Sequence, residues 1–134
     1  MAFYTTQRSL FGTSFEEITG YATDALSADY NFSWYDQKSA GSQNWVLVSN
    51  PGASAVKAEV WIAGSKMTTL DVAAGASQTD TFPGVMNGPV EVRGYNAAGY
   101  NPASPGSPNA SILASQRVLW SGHFNEVEGA VLGS

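Results

Sequence analysis

The sequence predicts an all-β fold, an antiparallel immunoglobulin-like β-sandwich of about eight or nine short strands. Three observations predict it. Helical periodicity is nearly absent along the chain. Short runs rich in β-branched and aromatic residues recur at spacings of about ten residues, separated by Gly, Pro, Asn and Ser clusters. The clearest run, Val56 to Ile62, alternates apolar and polar residues, the period of a strand covered on one face.

Each element follows from its residues. Phe3 to Phe11 reads as the first strand. The one helical candidate, Glu16 to Ala28, is spoiled by Gly20 and the Tyr-Ala-Thr-Asp segment that follows. Tyr30 to Asp36 is aromatic at alternate positions, placing Tyr30, Phe32 and Trp34 on one face, with Trp34, like Trp120, expected in the core. Asn44 to Ser49 is nearly continuous in Trp45, Val46, Leu47 and Val48, as expected of a strand buried on both sides with Trp45 in the core. Asn50-Pro51-Gly52 ends it, since Pro lacks a donor and Gly permits the reversal.

In the next strand Val56, Ala58, Val60 and Ile62 point inward, while Lys57, Glu59 and Trp61 point outward. Ala63-Gly64-Ser65 turns the chain into Lys66–Val72, and Ala73-Ala74-Gly75 into Ser77–Phe82. After Phe82-Pro83-Gly84 comes Pro89–Arg93, with Val90 and Val92 inward. Ile112 to Trp120 and Phe124 to Val127 close the set. Between them, residues 95–109 (YNAAGYNPASPGSPN) break the rhythm with three prolines, two tyrosines and no charge. Such a stretch is an inserted loop, and long loops in compact domains tend to carry function or remain mobile.

Composition narrows the function classes. The chain has no Cys, so disulfides and thiol chemistry play no part. Only 13% of residues are charged, so the surface is wetted by hydroxyls and amides, as in an exported β-protein. A net charge of −5 with six scattered basic residues excludes a phosphate-binding surface, hence no nucleic acid. No apolar run is long enough to span a membrane, and no signal peptide opens the chain. The expected location is extracellular or at a bacterial cell surface, with any leader lying upstream.

One phrase occurs twice. Residues 7–20 read QRSLFGTSFEEITG and residues 116–129 read QRVLWSGHFNEVEG, with six identities in fourteen ungapped positions at an offset of 109. A fixed offset marks a tandem array. Residues 1–20 therefore read as the closing segment of a preceding repeat or the first strand of this module, and residues 21–134 as the module itself.

The runs WYDQKSAGSQNWVLVSNPG (34–52), FPGVMNGPVEV (82–92) and SQRVLWSGHFNEVEG (115–129) together resemble tandem-repeat β-sandwich modules of secreted and cell-wall-associated bacterial surface proteins. The resemblance covers most of the chain and implies an immunoglobulin-type sandwich in a larger surface protein. It supplies no catalytic residues. The chain departs from the pattern in the longer 95–109 insertion, and in Glu16 where the second copy of the phrase has Asn125.

Candidate site residues fall into two sets. Arg8 with Glu17, and Arg117 with Glu126, recur in both copies and suit an Arg–carboxylate pair pinning a strand to its following turn. Trp61 on the outward face, with Tyr95 and Tyr100 in the uncharged loop, are the candidates for stacking on a sugar ring. His123 is the single histidine, and the first copy has Ser14 in its place, so a Ser-His-acid triad is not supported. No His/Cys ligand spacing or D-x-D-x-D-G loop is present, so neither metal nor cofactor is expected. The expectation is a non-enzymatic structural or adhesive module. Its partners would be neighbouring copies of itself through its terminal strands, or alternatively cell-wall or surface glycan bound through exposed aromatics.

Overall fold

A computed structural model describes residues 6–11, 14–19, 26–120 and 123–131; within 6, 8–11, 14–19, 120, 123–128 and 130–131 it describes the backbone path alone. Alternation sets the architecture. In β6 (Val56–Ile62) the residues Val56, Ala58, Val60 and Ile62 are buried. Val90 and Val92 of β10 (Val90–Asn96) do the same beside it. β3 (Asp29–Phe32) and β7 (Ser65–Val72) flank this pair, and β13 (Ala130–Val131) adds to β3, giving the order β13-β3-β10-β6-β7.

The second sheet runs β12 (His123–Glu128), β11 (Leu113–Trp120), β5 (Ser42–Ser49), β8 (Ser77–Asp80). Every pairing is antiparallel, and the two main sheets hold nine strands. β5 and β8 share one sheet and β6 and β10 the other. Val46, Val48, Ile112 and Ala114 on one side and Tyr30, Val60, Val90 and Val92 on the other form a single apolar cluster. Each fully buried valine contributes about 1.5–3 kcal/mol relative to an exposed one.

Two short ladders stand apart. β4 (Tyr35–Asp36) pairs with β9 (Met86–Asn87), and β1 (Thr6–Phe11) pairs with β2 (Ser14–Thr19) in a two-stranded sheet of its own. The stretch considered for a helix thus begins as strand, and its residues 20–25 lie outside the described residues. The β6–β7 reversal is a two-residue turn with Ala63 at φ 52° and Gly64 at φ 81°, the double positive φ of a type I′ hairpin.

Two expectations about tryptophans are corrected. Trp34 is 51% exposed, not core. The aromatic alternation of Tyr30 and Phe32 ends where the chain bends at Ser33. The next strand, β4, then leaves β10 to pair with β9. Trp45 is half-buried. β5 is covered on one face, through Val46 and Val48, so its odd-numbered neighbours lie on the far side, where the Arg117 guanidinium sits 5.6 Å from the Trp45 ring centre.

Tyr35 anchors the closed end. It is fully buried; its hydroxyl donates to the Asn44 carbonyl (2.8 Å) and accepts the Phe82 N–H (2.7 Å), and burial pushes its pKa up to about 12.

Candidate functional site

The outer face of the five-stranded sheet carries a polar network. Ladder register makes Arg93 the partner of Asp29 on one side and Glu59 on the other, and Glu91 the partner of Asn31 and Trp61. Arg93 Nη2–H donates to Glu91 Oε1 at 2.8 Å, and the same guanidinium lies 4.3 Å from the Trp61 ring centre. Glu59 is 0% exposed although alternation puts it on the outward face. Its Oε1 accepts Trp61 Nε1–H at 2.9 Å, its Oε2 accepts the Tyr100 hydroxyl at 2.6 Å, and Lys66 Nζ stands 3.8 Å away. A buried carboxylate is tolerated on those terms, with both oxygens hydrogen-bonded and a cation beside them.

The cover is the inserted loop. Asn96 N–H bonds Asn109 Oδ1 at 2.8 Å, Ala97 N–H bonds the Ala55 carbonyl at 3.0 Å, and Tyr100 packs on Tyr95 with ring centres 5.4 Å apart. Residues 97–111 hold no strand, yet they are fastened at both ends and in the middle. Burial raises the Tyr100 and Tyr95 phenols, and Glu59 adds to both shifts.

Trp61, Tyr95 and Tyr100 are therefore brought together, but around Glu59 rather than toward solvent. Tyr95 is 2% exposed, and one face of Trp61 carries Arg93. Sequence reasoning missed Glu59. The available signal was an acid on the outward face of one strand and an uncharged, tyrosine-bearing loop following another, β10, which pairs beside it.

Asp29 and Glu91 act on each other beside Arg93. Burial, then the hydrogen bond to Glu91 and the charge of Glu91, raise Asp29 from 3.8 to about 7, against the opposing charge of Arg93. Burial also pushes Glu91 up, but hydrogen bonds from Arg93 and Asp29 outweigh it and hold Glu91 low. Asp29 Oδ1 is buried without a hydrogen-bond partner among the described residues. An acid whose folded pKa lies above its unfolded one destabilises the fold when it must ionise, so Asp29 lowers stability progressively as pH rises from about 4 to about 7. Glu91 has the opposite sign: its stabilisation is present above its ordinary 4.5 and lost as pH falls further. Asp29→Asn is expected to raise the urea midpoint at pH 8 and flatten its dependence between pH 5 and pH 8. A variant whose midpoint tracks the parent at every pH would refute this.

The repeated phrase forms the same hairpin twice. In β1–β2 the partners are Gln7↔Ile18, Arg8↔Glu17, Leu10↔Phe15 and Phe11↔Ser14. In β11–β12 they are Gln116↔Val127, Arg117↔Glu126, Leu119↔Phe124 and Trp120↔His123, the same register at the same offset. Arg8 and Arg117 thus stand at cross-strand positions to Glu17 and Glu126. The side chains of Arg8, Glu17 and Glu126 lie outside the described residues.

The two hairpins differ in what lies beside them. β11 is paired on its other edge with β5, and Gln116 is 4% exposed there, its Nε2 donating to the Trp34 carbonyl (2.7 Å) and to Asn44 Oδ1 (2.5 Å). Among the described residues β1 pairs with β2 alone, and Gln7 is exposed. No family model, curated protein or solved structure matches this chain. The site is therefore read from its own geometry.

Where β11 meets β5, an open groove of about 430 Å³ is lined by Phe32, Trp34, Asp36, Ser42, Asn44 and Val118, among others. Asp36 Oδ1 accepts the N–H groups of Lys38 and Ser39 (2.9 Å each); a hydrogen bond from the Ser39 side chain, then these two backbone bonds, hold its carboxyl below the usual range. Trp34 is the large exposed aromatic at this groove.

Proposed function

We propose that this chain is a non-enzymatic structural or adhesive module of a bacterial extracellular surface protein, repeated in tandem and joined to neighbouring copies through its terminal hairpin. One observation supports this reading: the hairpin at the edge of the four-stranded sheet recurs at the other end of the chain in the same register, but among the described residues it joins no larger sheet. An unpaired strand edge is a template for another chain. The sparsely charged, cysteine-free composition and the resemblance to surface-protein repeats support the location.

Light scattering across concentration tests it. The intact chain is expected to show a mass that rises with concentration, and a chain beginning at Tyr21 to remain a monomer. Monomers in both forms would remove the assembly role.

A second reading is favoured by the exposed Trp34 over the groove. A tryptophan face beside hydroxyl and amide groups suits a sugar ring, so the module would bind surface glycan there rather than at Trp61, Tyr95 and Tyr100. Retardation in polysaccharide-containing gels that is lost in Trp34→Ala, with the fold intact by circular dichroism, is the expected result; no retardation of the parent would dismiss it.

A further inference from the structure

We infer that the free edge of β1 pairs with β5 of a second copy of this module, taking there the place that β11 takes in its own sandwich. This rests on the assembly reading above and names the surface and the register. Because the two hairpins superpose at an offset of 109 residues, the pairing of β11 with β5 transfers directly: Gln7 opposite Val46, Arg8 opposite Trp45, Leu10 opposite Gln43 and Phe11 opposite Ser42.

Gln7 supplies the chemical argument. At the equivalent seated position, Gln116 is buried and satisfied by the Trp34 carbonyl and the Asn44 amide. An amide in the middle of a strand is costly to bury unless such partners wait for it. The first copy carries the same amide at the same position, exposed to solvent. Arg8 would likewise inherit the place over the Trp45 ring that Arg117 holds at 5.6 Å. The second copy's β5 offers these groups in the required spacing, because it is the same strand.

Chain length favours a neighbour in tandem. Residues 21–28 separate the first copy of the phrase from β3, a reach of about 26–29 Å at full extension. β2 also runs close to β12. A module closed by β1–β2 would therefore abut this one rather than hang at a distance.

Competition sets the strength. In an intact second copy, β5 is already covered by that copy's own β11. Among the positions where the hairpins differ, Ser9 stands where the resident copy has Val118, and Val118 lines the groove, so the resident hairpin has an apolar contact there that the incoming one lacks. Association by intact chains is therefore weak, and it strengthens when that advantage is removed.

The chain has no Cys, which permits a direct test in the full-length protein. Leu10→Cys with Gln43→Cys places thiols at opposed positions only if β1 of one copy lies on β5 of another. Gln43 is exposed, so its substitution is mild. Under oxidising conditions, disulfide-linked dimers are expected to accumulate, about tenfold faster when Val118→Ser removes that apolar contact from the resident hairpin. Leu10→Cys with Thr79→Cys, on β8 at the far side of β5, serves as the control and should link poorly. Linkage at the same rate in the control, linkage within one chain, or no effect of Val118→Ser would each overturn the proposed pairing. Concentration-dependent mass without the specific cross-link would keep assembly and reject this surface.

Discussion

Replacing Glu59 by alanine is expected to destabilise the protein by about 2–4 kcal/mol, although the position lies on the outward face of its strand. The carboxylate is 0% exposed and accepts from both Trp61 Nε1 and the Tyr100 hydroxyl. Hydrogen bonds to a charged group contribute about 1.5–3 kcal/mol each when one partner is removed, and the two donors would be left without their acceptor under the loop. Tyr100→Phe removes one of the two bonds and should cost less, about 1.5–3 kcal/mol. The pair should be non-additive, since each variant breaks the same contact. Urea midpoints of the two single variants and the double variant measure this. Hydrogen exchange adds a local readout: protection in residues 97–109 should fall in both single variants, because Tyr100 is the loop's tie to the sheet. A Glu59→Ala protein with the parental midpoint and unchanged exchange would mean that the loop is held by its ends alone.

Gly94→Ala is the second large effect, about 3 kcal/mol or more. A β-carbon at Gly94 would fall 2.5 Å from the Ala110 carbonyl oxygen and 3.2 Å from two carbons of Ile112. The close approach is built from backbone bonds. Gly94 N–H donates to the Ala28 carbonyl at 2.7 Å, while its carbonyl accepts from Asn109 (2.9 Å) and Ala110 (3.2 Å). The obstacle is main chain, so it cannot swing aside as a flexible side chain would. Relief requires moving either β10 or the segment leading into Ile112, itself fully buried and the acceptor of the Tyr30 hydroxyl at 2.6 Å. Thermal unfolding of Gly94→Ala should show a drop well beyond that of Gly99→Ala, where the surroundings are open and only the positive φ of +80° opposes a side chain. Equal losses at the two positions would show that the returning loop yields easily.

Both predictions concern the loop, and the loop is where sequence and structure part company. Alternation in β6 was legible because apolar burial is encoded in the strand itself: Val56, Ala58, Val60 and Ile62 sit on one face whatever surrounds them. The Ser and Asn reversals, the strands from Val56 onward and the all-β class follow from the same local physics. The double occurrence of the closing phrase was legible too, since one sequence in one context makes one hairpin, and β1–β2 repeats the register of β11–β12. Trp34, Trp45 and Glu59 were not legible. Their exposure depends on partners distant along the chain. For Trp34 the deciding partners are β9 and Gln116, and for Trp45 it is Arg117. For Glu59 it is Tyr100, forty-one residues away.

Sequence alone thus determined the fold class, the inward faces of the strands and the recurrence of one phrase at both ends, because period, propensity and repetition are local properties. Tertiary structure alone decided that an outward glutamate is sealed under a tyrosine, and that a core-looking tryptophan lies open over a groove. It also decided that one of two like glutamines is buried while the other is exposed. In each case the deciding quantity is which distant segment covers a face, and no local pattern encodes that.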